Sequence, residues 1–245
     1  MKKAVIFIKG GLGNQLFQFA FANYLKSKGL KVVVNTELLK QSVNNTPRQL
    51  ILPLSNFGLK EENVFSKLVF NLGMQIDSNS LVNKTYLQHF FKEYKYTKNT
   101  QDINNSASKK LFLNSYWKDM KYAEFSKNYI SASLKKNSKI NTGFLQNNNK
   151  TMLHVRRGDF VKNNWNLDSS FYKKGLEIIN NNGEFDFDIF TDDPKWVSQQ
   201  SIFHKASNVY YQKTSQSQDS GNFDNMDDRD ETVSTFSKML CYKHF

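Results

Sequence analysis

Ten consecutive residues, Thr151-Met-Leu-His-Val-Arg-Arg-Gly-Asp-Phe160, concentrate the groups best suited to chemistry in this chain. Met152, Leu153 and Val155 are apolar, and His154, Arg156, Arg157 and Asp159 form a dense polar knot among and after them. Each guanidinium presents a planar fork that matches two oxygens of a phosphate or carboxylate. Asp159 stands where it can hold one guanidinium in place, and His154 can hydrogen-bond within the same knot. The competing account is a structural Arg–Asp pair at a strand end. An anion receptor explains more, because paired arginines beside a buried strand are costly without a purpose.

A second candidate is Gly10-Gly-Leu-Gly-Asn-Gln15, between an apolar run and a helical pattern. A dinucleotide fingerprint starting at Gly11 and Gly13 requires a third glycine where Leu16 stands, and an acidic residue where Asn35 ends the next strand. It is not a Walker loop either, which carries Gly-Lys-Ser/Thr. What remains is a tight turn offering backbone N–H groups at a helix N-terminus, a generic site for anions or polar groups. Asn14 and Gln15 add amides suited to sugar hydroxyls. A purely structural strand-to-helix turn stays open. A third candidate is Asp192-Asp193, just past an apolar strand. Pro194 suits the first turn of the following helix with Asp193 as its N-cap; the other aspartate is left to accept hydrogen bonds from a nucleobase or ribose. Asp186 and Asp188 resemble a metal-chelating Asp-x-Asp, but strand alternation makes them one polar face, and no further ligands accompany them. No metal site is expected.

The elements that must position these groups follow an α/β order. Ala4–Ile8 and Lys31–Asn35 read as buried strands flanking a helix (Leu16, Phe17, Phe19, Ala20, Tyr24, Leu25) that Gly29 closes. Residues 60–74 have helical spacing, 87–96 are aromatic and basic, and 99–110 read as a loop. Leu111–Trp117 is strand-like and delivers Tyr116 and Trp117 to its end, to stack on a sugar or to close the core. Residues 122–134 form a helix. The Asn/Lys/Ser-rich stretch 135–150 reads as a linker between domains 1–140 and 150–245. In the second domain the arginine strand is followed by a helix over 171–179, a strand over 184–190, a short strand at 208–211 and a helix over 232–242 with Phe236, Met239 and Leu240 inward. Residues 212–222 read as a polar loop, and 224–231 as a solvated acidic cluster. Ligands of open α/β sheets bind at the carboxyl ends of the strands, where the arginine knot and Asp192-Asp193 both fall.

The 245 residues suffice for one large domain or two modest ones. A formal charge of +12 suits an anionic partner, although the lysines are scattered rather than gathered in one tract. There is no nucleic-acid-binding motif or basic helix, so nucleic acid is not expected as a partner. The one cysteine, Cys241, rules out an internal disulfide and fits a reducing compartment. The opening apolar run is too short for a signal peptide, being interrupted by Lys9, and no stretch approaches the roughly 20 apolar residues of a membrane span. A cytoplasmic protein is expected, with contact at most peripheral to the inner face of the membrane.

Three stretches together resemble the α-1,2-fucosyltransferases of glycosyltransferase family 11: Gly10-Gly-Leu-Gly-Asn-Gln-Leu-Phe-Gln-Phe-Ala20, His154-Val-Arg-Arg-Gly-Asp159 and Phe190-Thr-Asp-Asp-Pro-Lys-Trp196. Met239-Leu-Cys-Tyr-Lys-His-Phe245 is similar to the segment preceding that family's last motif. The resemblance is weak between about residues 40 and 150. It implies a GT-B architecture, two Rossmann-like domains facing across a cleft, with GDP-fucose on the second. It also implies inverting, metal-independent transfer of fucose to the 2-OH of a galactose in a glycan or lipid-linked precursor. Arg156 would grip the β-phosphate, and Arg157 and Asp159 would orient the site. His154 would contact the nucleotide or brace the loop, and Asp192 and Asp193 would lie near the guanosine. Thr235 stands where the family carries an aspartate that helps hold the nucleotide. The family continues past His244 into an Asn-Ser-x-Phe-Ser-Trp-Trp-like segment, so the second domain is expected to be incomplete at its C-terminus and activity weak. A non-catalytic nucleotide- or glycan-binding remnant is the alternative. No general base follows from the sequence.

Overall fold

The structure is a computed structural model that describes residues 1–40, 48–62, 94–97, 103, 110–137, 150–180, 186–211 and 228–240. The expectations for 63–74, 87–93, 99–102, 104–109, 138–149, 212–222, 224–227, Cys241 and His244 lie outside the described residues. The chain divides into two units, Met1–Asn137 and Ser138–Phe245. Both are α/β, each built on a parallel sheet. Among the described residues no helix is long and apolar enough to cross a membrane.

In the first unit, β1 (Lys3–Phe7), β2 (Lys31–Asn35), β3 (Tyr94–Thr97) and β4 (Lys110–Leu113) form a sheet in the order β2-β1-β4-β3, every pair parallel. The near-continuous apolar runs of β1 and β2 are those of strands covered on both faces. One face carries Val5, Phe7, Val33 and Phe112. Helix α1 (Leu12–Ser27) crosses from β1 to β2 and ends as the sequence predicts. Gly29 takes a φ of 80°, while its N–H donates to Lys26 O and that of Leu30 to Leu25 O. This pair of bonds satisfies carbonyls that the helix end leaves open. After α2 (Glu37–Lys40) and a 3-10 turn (Leu54–Phe57), the long helix α3 (Met120–Lys135) packs along α1. Ser126 permits close approach, donating to Ala20 O at 2.8 Å and accepting from Asn23 Nδ2. Trp117 closes this core by stacking on Phe21 with centroids 4.2 Å apart, which settles the choice left open for it. Tyr116 stays exposed.

In the second unit, β5 (Thr151–Val155), β6 (Phe187–Thr191) and β7 (Asn208–Tyr211) run parallel in chain order. One face buries Val155, Phe187 and Ile189 against Tyr172 of α5 (Ser169–Asn180) and Val197 of α6 (Pro194–Ser198), with Phe203 alongside. The other face carries Met152 and Phe190, packed against Tyr210 and Met239. Met239 ends α7 (Asp228–Met239), which starts four residues before the predicted helix, inside the acidic cluster. Among its described side chains Val233 and Ser237 are the most buried, with the predicted Phe236, Met239 and Leu240 half-buried beside them. The alternation of Asp186 and Asp188 does bring both carboxylates to one face, where they share Lys150, but that face is partly covered. Asp188 is buried and accepts from Asn208 Nδ2 at 2.9 Å, while Asp186 pairs with Lys150 at 2.8 Å. These pairs tie β5, β6 and β7 together near the amino end of β6, away from the arginine knot.

Candidate functional site

After β5 the chain enters a short helix, α4 (Gly158–Lys162), as soon as the arginines are passed. Three carboxylates set the knot. Asp159, in the first turn of α4, accepts from Arg156 Nε at 3.2 Å and from Nη2 at 2.9 Å, and Arg156 lies over the Phe160 ring at 4.5 Å. Asp192, at the carboxyl end of β6, accepts the Arg157 backbone N–H through Oδ1 at 2.6 Å. Asp193 receives Arg157 Nε at 3.1 Å through one oxygen and the Trp196 backbone N–H at 3.0 Å through the other. The predicted N-cap at Asp193 is therefore present, with Pro194 following it in α6. It also serves as an anchor for Arg157, whose guanidinium lies 4.0 Å over Trp196. Asp192 is not left over for a ligand in the simple sense expected from the sequence, since one of its oxygens already fixes the loop.

Gly158 is required here by contact rather than by backbone freedom. A Cβ at that position would stand 2.9 Å from Asp192 Oδ2, so the glycine gives the carboxylate room to reach over the loop. The result is a strand end in which both guanidinium planes are held, one by a carboxylate fork and one between a carboxylate and an aromatic face. Among the described residues, Arg156 Nη1 and both terminal nitrogens of Arg157 donate to no acceptor. Two arginines and three aspartates carry one net negative charge, so an anion would be drawn by these aimed donors and not by a general positive field.

His154 projects from the sheet face that bears Met152 and keeps an exposed edge. It makes no hydrogen bond among the described residues. Displacement of water by the surrounding protein, and then repulsion from Arg156, hold its pKa below the usual 6.5, with Asp192 opposing. The ring is therefore mainly neutral at neutral pH and can both donate and accept.

The glycine loop of the first unit divides the predicted residues differently. Gly10 has a φ of 78°, and a Cβ there would meet Asn14 Nδ2 at 2.4 Å. Gly11 precedes α1 as its N-cap without a side-chain bond, and space is open around both Gly11 and Gly13. Asn14 is half-buried and its amide makes no hydrogen bond among the described residues. Gln15 differs. Fully buried, it donates through Nε2 to Gly10 O and Gln49 O and accepts from the Ile51 N–H, which makes it a clamp on the loop rather than a group for sugar hydroxyls. Gln18, which sequence reasoning passed over, does the same for Lys9, accepting from its N–H at 3.0 Å and donating to its carbonyl at 3.1 Å. Trp196 and Phe160 are further site residues whose role as platforms was missed. Spacing could have found them: three residues past the cap at Asp193, and four past Arg156. No cluster of three or more His, Cys, Asp or Glu able to hold a metal occurs among the described residues. The chain matches no protein-family model, no curated protein and no solved structure.

Proposed function

We propose that this chain is a glycosyltransferase of GT-B architecture that transfers fucose from GDP-fucose to the 2-OH of a galactose with inversion. The observation that carries the reading is the pair of arginines at the carboxyl end of β5: Asp159 holds Arg156 through Nε and Nη2 and Asp193 holds Arg157 through Nε, while Arg156 Nη1 and both terminal nitrogens of Arg157 donate to no acceptor among the described residues. Donors fixed before the reaction and aimed at developing charge stabilise a transition state without reorganising. In this account the acceptor oxygen attacks C1 of fucose, and the bond from C1 to the β-phosphate oxygen breaks. The electron pair leaves with GDP, and the acceptor proton passes to a base or to water. Arg156 takes the charge that grows on the β-phosphate. Arg157, held by Asp193 and Trp196, backs it, while Asp159 keeps the Arg156 plane upright. His154, neutral and beside Arg156, hydrogen-bonds a phosphate or ribose oxygen. The remaining oxygen lone pairs of Asp192 and Asp193 face guanosine donors. In the first unit, Asn14 and the open space at Gly11 and Gly13 receive the acceptor.

The resemblance of His154-Val-Arg-Arg-Gly-Asp159 to the fucosyltransferase motif supports the choice of donor. A non-catalytic binding remnant is favoured by one feature: each arginine already has a carboxylate partner, as a structural ion-pair cluster would. Incubation with GDP-fucose and lactose in the presence of chelator separates the two. Fucosyl-lactose formed by the wild type and lost in Arg156→Ala supports transfer. GDP binding with no product leaves only the remnant.

A further inference from the structure

We infer that Trp165 is the platform on which the donor's sugar stacks, its indole meeting the C–H face of the pyranose joined to the β-phosphate. The inference rests on the glycosyl-transfer reading and adds a specificity-determining residue to the same site.

Short-range backbone chemistry places the indole. Helix α4 is capped by Asn163, and Asn164 then takes a φ of 57°, a left-handed conformation that asparagine adopts more readily than most residues. The Asn164 N–H donates to Val161 O at 3.2 Å and the Trp165 N–H to Phe160 O at 2.8 Å. Together these bonds make a Schellman closure, whose usual companion is an apolar contact between the residues that Phe160 and Trp165 occupy. That contact is made, with ring centroids 5.9 Å apart and planes at 86°. Asn163 Nδ2 ties the turn back once more, donating to Asp159 O at 2.7 Å.

Asp159 and Phe160 are also the two residues that hold Arg156, one through its carboxylate and the other with its ring 4.5 Å from the guanidinium carbon. The five-residue α4 and its closing turn therefore carry both the seat of Arg156 and the aromatic pair, and the indole lies one ring beyond the guanidinium. Arg157 turns elsewhere, to Asp193 and Trp196 past the end of β6. In the transferase reading the nucleoside lies with Asp192 and Asp193. The sugar, bonded to the phosphate that Arg156 grips, then falls toward Phe160 and Trp165.

Packing alone does not account for this side chain. Trp165 is 62% exposed, more than any other aromatic among the described residues, although an aliphatic residue could close the helix equally well. A pyranose carries its hydroxyls around the rim and a patch of C–H groups on a face. Those hydrogens are the positive partner that the negative face of an aromatic ring attracts.

The test is calorimetric titration of the full chain with GDP and with GDP-fucose, in the wild type and in Trp165→Ala. The substitution should weaken GDP-fucose about threefold to tenfold more than it weakens GDP, the worth of one aromatic contact. Trp165→Phe, which keeps a ring, should recover most of that difference. Saturation-transfer NMR of the wild type should show the fucose C–H protons enhanced, and Trp165→Ala should lose the enhancement. Equal losses for GDP and GDP-fucose would make Trp165 a brace for Phe160 and overturn the inference, as would no loss for either. Both of those results leave the transferase reading standing, because the wild type binds GDP. A wild type that binds neither nucleotide removes that reading and this one with it.

Discussion

The two units solve one problem with different chemistry. Each must hold a loop still at the carboxyl end of its first strand. In the first unit neutral amides do it: Gln15 and Gln18 are fully buried and bonded to backbone on both sides of the glycine turn. In the second unit charges do it: Asp192 and Asp193 hold Arg157, and Asp159 holds Arg156, all of them at least partly open to water. Buried amide clamps are expensive to break, because every backbone group they release stays dry and unpaired. Exposed ion pairs are worth little each, about 0–1 kcal/mol, but leave their outer donors in reach of solvent and ligand. The first arrangement suits a wall, the second a receptor.

The comparison is broken most sharply at Gln15. Gln15→Leu should cost about 2–4 kcal/mol, since Gly10 O, Gln49 O and the Ile51 N–H would together lose the one fully buried side chain that bonds them. Chemical denaturation reads this, and a cost near zero would mean the clamp is not structural. Arg156→Ala should change stability by less than about 1 kcal/mol in the same assay.

The glycines give the next contrast. Gly10→Ala should cost about 1–3 kcal/mol, combining a left-handed φ with a 2.4 Å approach to Asn14. Gly158→Ala meets only the end of a side chain, so Asp192 can swing aside for about 1 kcal/mol, but it must release the 2.6 Å bond to the Arg157 N–H. It should therefore lower GDP affinity far more than stability. Equal damage to both would contradict the division of roles.

The smallest effects are in pH. Burial pushes the Tyr129 hydroxyl, which donates to Phe57 O, up to about 12. A raised pKa means stability that is full below the unfolded value of 10.0 and lost as pH climbs toward 12. In the second unit His154 is depressed, so its contribution is full above 6.5 and lost as pH falls through the folded value. Tyr129→Phe should blunt the alkaline loss, and His154→Asn the acid loss. NMR titration of His154 should give a value below 6.5 that rises when GDP binds; one at or above 6.5 in the free chain would sink this reading.

The elements the sequence predicted best are those in which local pattern and tertiary need agree. The helix stop at Gly29 and the cap at Asp193 come from short-range backbone chemistry, which a single sequence carries. The arginine knot was legible as a cluster, but not its wiring. Asp193 sits 36 residues from Arg157, and no local pattern says that one carboxylate will both cap a helix and take a guanidinium. Gln15 was misread for the same reason: its partners at 49 and 51 are brought in by the fold. The Asp186–Asp188 alternation was legible as one polar face, on which both carboxylates meet Lys150, but not that Asp188 would be buried there, because Tyr210 and Met239 cover the same face further along.

The most direct test of the account is calorimetric titration of the full chain with GDP at modest salt, in the wild type and in Arg156→Ala. The account predicts saturable binding in the wild type, weakened at least about tenfold by the substitution, with an unchanged thermal melt. Equal affinity in the two proteins, or no binding by a wild type that melts cooperatively, would contradict it.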